Sequence, residues 1–287
     1  MYHDYTQEEL RAYSKACIES LEIWARHLIH KKMVEEYGLD YVNCKDNNGQ
    51  PIIKTEVREH IAYIMRNEPE RCKRPVDALY MDHIIYFLCH PNLYSKLFKD
   101  ALDYIYPQGK EEAREFLKRL IPIRNPLSHS NAISIRQVEQ AICYSHDFVD
   151  GLKEYFKDKG EERMWNVPRV IKITDSCGNT FDNPEDGRYG GSNFFIKQLF
   201  RPGDNYSIQV LIDPAFETNR YTIEWSVLGK YNVHFENDSK FSIKFSEEDI
   251  SKMFTINCRI ISKKTWHKYK THDGEVSLIL TVLPPIE

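Results

Sequence analysis

Up to about residue 157 the apolar side chains recur at intervals of three and four, and beyond Pro168 they alternate with polar ones. In the first stretch, Thr6-Gln7-Glu8-Glu9 reads as a capping box. Leu10, Tyr13, Ala16/Cys17, Leu21, Trp24 and Leu28 follow on one helical face, and Gly38 ends the segment. Val57, Ile61, Ile64 and Met65 predict a second helix. Residues 77–88 and 93–105 form two apolar-faced segments parted by His90-Pro91, and residues 111–120 carry Ala113, Phe116, Leu117 and Leu120 on one side. Ser134-Ile135-Arg136-Gln137 opens a last helix through Val138, Ala141, Ile142, Ser145, Phe148, Val149, Leu152 and Phe156. Helices of these lengths with short connections predict an antiparallel, up-and-down bundle over residues 1–160.

After the charged run 157–163 the period becomes two. Residues 170–173, 207–212, 221–227, 241–245, 254–260 and 276–282 predict strands, separated by turn residues such as Pro202-Gly203-Asp204-Asn205 and His272-Asp273-Gly274. Six such strands, with Trp225 inside the third, predict an immunoglobulin-like β-sandwich over residues 168–287. The fold class expected is therefore multidomain, α followed by all-β.

With 287 residues, 41% hydrophobic and 29% charged, the chain is long enough for two cores and too apolar for a disordered one. No segment approaches the ~20 apolar residues that span a bilayer. Met1-Tyr2-His3-Asp4 lacks the pattern of a signal peptide, so a cytoplasmic location and no membrane contact are expected. Seven scattered cysteines without a Cys-x-x-Cys pair argue against a disulfide framework or a thiolate zinc site. The sequons at Asn205 and Asn237 are then chance matches. A net charge of -4 gives no overall nucleic-acid signal, so any RNA contact must come from a local patch.

One segment carries chemistry. Ile121-Pro122-Ile123-Arg124-Asn125-Pro126-Leu127-Ser128-His129-Ser130 sets a guanidinium, an amide and an imidazole within six residues. Pro126 lacks an amide proton and its ring opposes the carbonyl of Pro122, so a kink is expected here. A regular helix would leave Arg124 and His129 about 140° apart, and a kink or helix end would bring them closer to one cleft. Guanidinium suits phosphate, and imidazole exchanges protons near neutral pH. The opposing reading pairs Arg124 with a helix-face carboxylate such as Glu115 and leaves His129 to cap the last helix.

The run Arg124-Asn125-Pro126-Leu127-Ser128-His129-Ser130, with the helix that follows, resembles the Arg-polar-x-x-x-His hallmark of the HEPN superfamily. More narrowly, it is similar to the HEPN domain named after the RNA-surveillance nuclease Swt1. The likeness covers roughly residues 8–157 and does not extend to the sandwich. It implies a metal-independent endoribonuclease, without cofactor, that acts as a homodimer through the helical domain, often as a toxin or antiviral effector. By position, Arg124 would bind the scissile phosphate, His129 would move protons and Asn125 would orient the pair. Some members of the family are inactive dimerisation or nucleotide-binding modules, which gives a second reading, an adaptor that recognises a protein partner. The sandwich would then sense, target or bind a protein ligand. In a subgroup whose tyrosine two residues past the histidine is adenylylated, that position is Asn131 here.

Weaker candidates lie elsewhere. Lys263, Lys264, Trp266, Lys268 and Lys270 interleave cations and rings between two strands and could grip RNA, although a solvated hairpin tip is the plainer reading. His27 and His30 have ligand spacing but no third ligand, so no metal site is expected, and Asp82, His83 and His90 read as helix-end residues. The loop Gly187-Arg188-Tyr189-Gly190-Gly191 does not qualify as a phosphate cradle.

Overall fold

The computed structural model describes residues 6–46, 48–69, 71–129, 131–182, 191–229 and 238–286. Met1 to Asp4, Ser130, Gly187 to Gly190 and Asn237 therefore lie outside the described residues. The chain divides into two units, 1–158 and 159–287.

The first unit is helical. Its centre is α1 (Gln7–Tyr37), opened by the Thr6/Glu9 capping box and closed at Gly38, whose φ of 77° suits glycine. The helix is buried on nearly every side, with Leu21, Leu28, Ile29 and Met33 at 0% exposure. Around it come α2 (Thr55–Asn67), α3 (Met81–Leu88) and α4 (Pro91–Leu93). A π-helical turn, Tyr94–Phe98, leads into α5 (Lys99–Leu102), and then come α6 (Lys110–Ser128) and α7 (Ile135–Asp158). Helix α1 packs on α7, α3 and α6. Ser134 and Gln137 form the reciprocal cap expected before α7.

One expectation is corrected. Helix α6 does not stop near Leu120 or break at Pro126; it runs unbroken through both prolines to Ser128. Ala113, Leu117, Leu120, Ile123 and Leu127 keep a buried stripe in helical phase along its whole length. Each proline forfeits one N–H bond to the carbonyl four residues back, a loss that the buried stripe outweighs. The backbone N–H groups of His129 and Asn131 both donate to the Pro126 carbonyl, at 3.1 and 2.9 Å, and close the end.

The second unit begins with a short helix, α8 (Glu162–Trp165), within the charged run, and then becomes β. Its strands are β1 (Val170–Asp175), β2 (Thr180–Asp182), β3 (Gly191–Phe200), β4 (Asn205–Ile212), β5 (Tyr221–Val227), β6 (Lys240–Lys244), β7 (Ser251–Ser262) and β8 (Gly274–Val282). Among the described residues they form two four-stranded sheets, ordered β2-β1-β4-β6 and β3-β8-β7-β5. Pairing is antiparallel except for β3 with β8. Inward residues of both sheets share one core that includes Ile173, Tyr206, Ile208, Trp225, Phe241, Ile256, Cys258 and Leu278. Trp225 is fully buried, stacks on Phe241 at 5.2 Å and donates its indole N–H to the Asp238 carbonyl at 2.8 Å.

All six expected strands are present, and β2 and β3 are additional. In β3, Phe194-Phe195-Ile196 breaks strict alternation, and the strand lies at a sheet edge with Phe195 and Leu199 exposed.

Candidate functional site

Helices α1 and α6 meet at a cleft of about 80 Å³ lined by Lys15, Ile18, Glu19, Glu22, Arg124, Leu127 and Ser128. Its organising residue is Glu22, a carboxylate on the apolar phase of α1 and only 5% exposed. Glu22 holds two guanidinium groups. Arg26, one turn along the same helix, donates to Oε2 at 2.7 Å, and Arg124 donates through Nε to Oε1 at 3.3 Å. Arg26 is itself anchored by the Leu79 carbonyl at 2.7 Å. Such charge-assisted bonds are the strong ones, and a buried carboxylate requires them.

Arg124 is thus held by one edge of its guanidinium, with its side chain 31% exposed and facing the cleft. At the mouth, Lys15 pairs loosely with Glu19 at 3.7 Å. Among the lining residues, Lys15 and Arg124 balance Glu19 and Glu22.

The other motif residues sit around the end of α6. Ser128 donates its hydroxyl to the Arg124 carbonyl at 3.0 Å. Asn125 is exposed on the helix surface, and His129 is exposed one residue past the end of α6. Neither lines the Arg124 cleft. Within one chain the structure therefore places Arg124 in the cleft and Asn125 and His129 outside it. Arg124 pairs with Glu22 and not with Glu115. In the sequence Glu22 is an acidic residue at an apolar helical position four residues before an arginine, a signal that motif spacing does not carry.

The hairpin candidates are placed differently from one another. Lys264 donates to Glu162 at 2.9 Å and to the Asn166 carbonyl at 2.7 Å, and lies 4.3 Å over the Trp266 ring. Lys268 lies over Tyr269 at 5.2 Å. Lys263 and Lys270 are exposed. Buried Asp273 shapes this loop by accepting from the backbone N–H groups of Ser262 and Lys268 and pairing with His267. Although burial opposes ionisation, these hydrogen bonds together hold its carboxyl below the usual range.

The histidines expected as satisfied groups have partners: His27 meets Arg74 at 3.5 Å, and His30 shares a hydrogen bond with Tyr41 at 3.2 Å. His83 lies 3.8 Å from Asp82. Among the described residues, no group of three His, Cys, Asp or Glu side chains could hold a metal ion. No helix among them is long and apolar enough to cross a membrane.

Fold and site together define an α-plus-β multidomain chain: a helical N-terminal half carrying the Arg124–Glu22 cleft, and a two-sheet β half. No family model matches it, and no curated protein matches it. Among solved structures, the extracellular domain of a putative hybrid two-component system from B. thetaiotaomicron matches over 42% of this chain, at 9% identity and a TM-score of 0.23. This chain spans only 16% of that one, and a likeness of this size carries no argument about fold or function.

Proposed function

We propose that the helical unit is a HEPN-type endoribonuclease domain and the β unit an immunoglobulin-like sandwich that senses or targets, with the boundary between residues 160 and 168. The observation that carries the nuclease reading is Arg124, held by buried Glu22 with its remaining donors facing a cleft, on the same helix end that presents His129 to solvent. The sandwich assignment is supported by the strand order β1-β4-β6 against β8-β7-β5, with a buried tryptophan on β5 opposite Cys258 of β7.

In this reading the RNA 2′-hydroxyl attacks the adjacent phosphorus and the 5′-oxygen leaves. One imidazole removes the hydroxyl proton and another protonates the leaving oxygen. The free donors of Arg124 neutralise charge on the non-bridging oxygens. The products are a 2′,3′-cyclic phosphate and a 5′-hydroxyl. Two copies of the helical unit supply two Arg124/His129 sets to one composite site, Asn125 orients the pair, no metal takes part, and the protein acts in the cytoplasm as a toxin or antiviral effector. Exposure of Asn125 and His129 leaves both available to a second copy.

A second reading, an inactive dimerisation or nucleotide-binding adaptor for a protein partner, draws on the occupied Nε of Arg124 and the separation of His129 from its cleft. Cleavage of cellular RNA in EDTA decides between them. The nuclease reading expects cyclic-phosphate products, with losses of about 100-fold or more in Arg124→Ala and His129→Ala. Equal activity in the variants, or none in the wild type, supports the adaptor.

A further inference from the structure

The outward face of the β4–β6 pair has a chemistry that no part of the nuclease reading uses. Register places Asn205 opposite Lys244, Ser207 opposite Ser242 and Gln209 opposite Lys240. Inward neighbours Tyr206, Ile208 and Phe241 are buried, so the outward residues stand on a rigid, packed pair of strands. The row continues onto Ser176, whose Oγ accepts from the Ser207 N–H at 3.1 Å while its own N–H donates to the Ser207 carbonyl at 2.9 Å. Ser176, Asn205, Ser207, Ser242 and Lys244, with Tyr206 and Ile243, line an open cleft of about 320 Å³ on this face.

Three features fix what this surface would hold. No position of β4 or β6 carries a carboxylate, although the whole chain is net acidic at -4. Lys240 and Lys244 are exposed and make no ion pair with any described residue. Four residues apart on one strand face, they lie about 13 Å from each other, with Lys244 lining the cleft and Lys240 further along the same face. Besides Lys244 and Ile243 the lining is hydroxyl and amide, and its one ring, Tyr206, is buried with its hydroxyl donated to Asp175 at 2.9 Å. A surface without a stacking platform does not read bases. Ammonium groups beside small hydrogen-bonding side chains suit the sugar–phosphate backbone, which takes about half or more of protein–DNA hydrogen bonds.

We propose that this face binds the sugar–phosphate backbone of single-stranded RNA, with Lys240 and Lys244 on phosphates and Ser176, Asn205, Ser207 and Ser242 as hydrogen-bonding partners. The proposal rests on the nuclease reading for the identity of its ligand as RNA. It also moves the grip from the hairpin, where Lys264 is committed to Glu162 and Asn166.

The test uses the full chain and a fluorescent 2′-O-methyl oligouridine, which lacks the attacking hydroxyl and so reports binding whether or not the protein cleaves RNA. Titrations by anisotropy at several salt concentrations compare wild type, Lys240→Gln/Lys244→Gln and Lys240→Arg/Lys244→Arg. All four substitutions fall on exposed positions. Each lost phosphate contact lowers the log–log salt slope by about 0.7, so the glutamine pair should lose about 1.4 in slope and roughly tenfold in affinity at low salt, and the arginine pair should retain both. RNA should also protect Lys240 and Lys244 from acetylation and leave exposed Lys252 reactive. Equal affinity and slope in wild type and the glutamine pair would overturn the proposal, as would binding without protection of the two lysines.

Discussion

Replacing Glu22 isolates the ion triad that organises the α1/α6 cleft. Glu22→Gln keeps the volume and one acceptor but removes the charge that two guanidiniums face. The bond to Arg26, at 2.7 Å with side chains 18% and 6% exposed, is the shorter and drier of the two. A hydrogen bond to a charged group of this kind contributes about 1.5–3 kcal/mol. The bond to Arg124, at 3.3 Å with its arginine 31% exposed, is open to solvent and contributes about 0.5–1 kcal/mol. Glu22→Gln should therefore destabilise the helical unit by roughly 2–3 kcal/mol, or about 4–12 °C in Tm for a unit of this size. Arg124→Ala should lower stability by about 1 kcal/mol, because Glu22 keeps Arg26. Urea unfolding followed at 222 nm, in double-mutant cycles, reads the two couplings separately. The Glu22–Arg26 coupling should exceed the Glu22–Arg124 coupling by about 1 kcal/mol or more. Equal couplings, or a Glu22→Gln protein as stable as the wild type, would refute an account in which Arg26 fixes Glu22 and Glu22 in turn aims Arg124.

Two further outcomes follow from packing and titration. A Cβ at Gly151 in α7 would lie 2.2 Å from Cγ1 of Ile105, so Gly151→Ala should destabilise by about 1–2 kcal/mol despite alanine's better helix propensity, and Ile105→Ala in the same chain should restore part of the loss by thermal unfolding. Burial lowers the pKa of His30, His83 and His90, chiefly by desolvation, so below about pH 6.5 the unfolded chain binds protons that the folded helical unit refuses. Stability of that unit should fall as the pH drops from 6.5 towards 5. The stability from the depressed Asp273 carboxyl of the β unit is lost only below about pH 4, as the pH falls through its folded pKa. Helical ellipticity and the near-ultraviolet signal of Trp225, read in a Trp24→Phe chain, should therefore part company in an acid titration monitored in moderate urea, and coincident transitions would refute the assignment.

How far the sequence reached depended on whether a signal was local and periodic. Helix α1, both capping boxes and the six alternating strands are runs in which each buried side chain restates the same period, so neighbouring residues alone suffice to find them. Strand β3 was missed for the opposite reason: its pairing with β8 is parallel and distant in sequence, and an edge strand that leaves Phe195 and Leu199 in solvent need not alternate. The break assigned at Pro126 erred because a local rule about one missing N–H met a stripe of five buried side chains that holds α6 in register. The site divides along the same line. Arg124, Asn125 and His129 are adjacent in the chain and could be named as a set, whereas the residue that aims Arg124 lies 102 positions away. No pattern around Arg124 points to Glu22. What does point to it is an imbalance on α1: a carboxylate among Ile18, Leu21 and Ala25 must be neutralised by something other than water, and Arg26 alone leaves one of its oxygens unanswered. A charged residue out of phase with its own helix is thus a statement about a partner elsewhere, and searching for such residues finds site-building contacts that motif spacing does not.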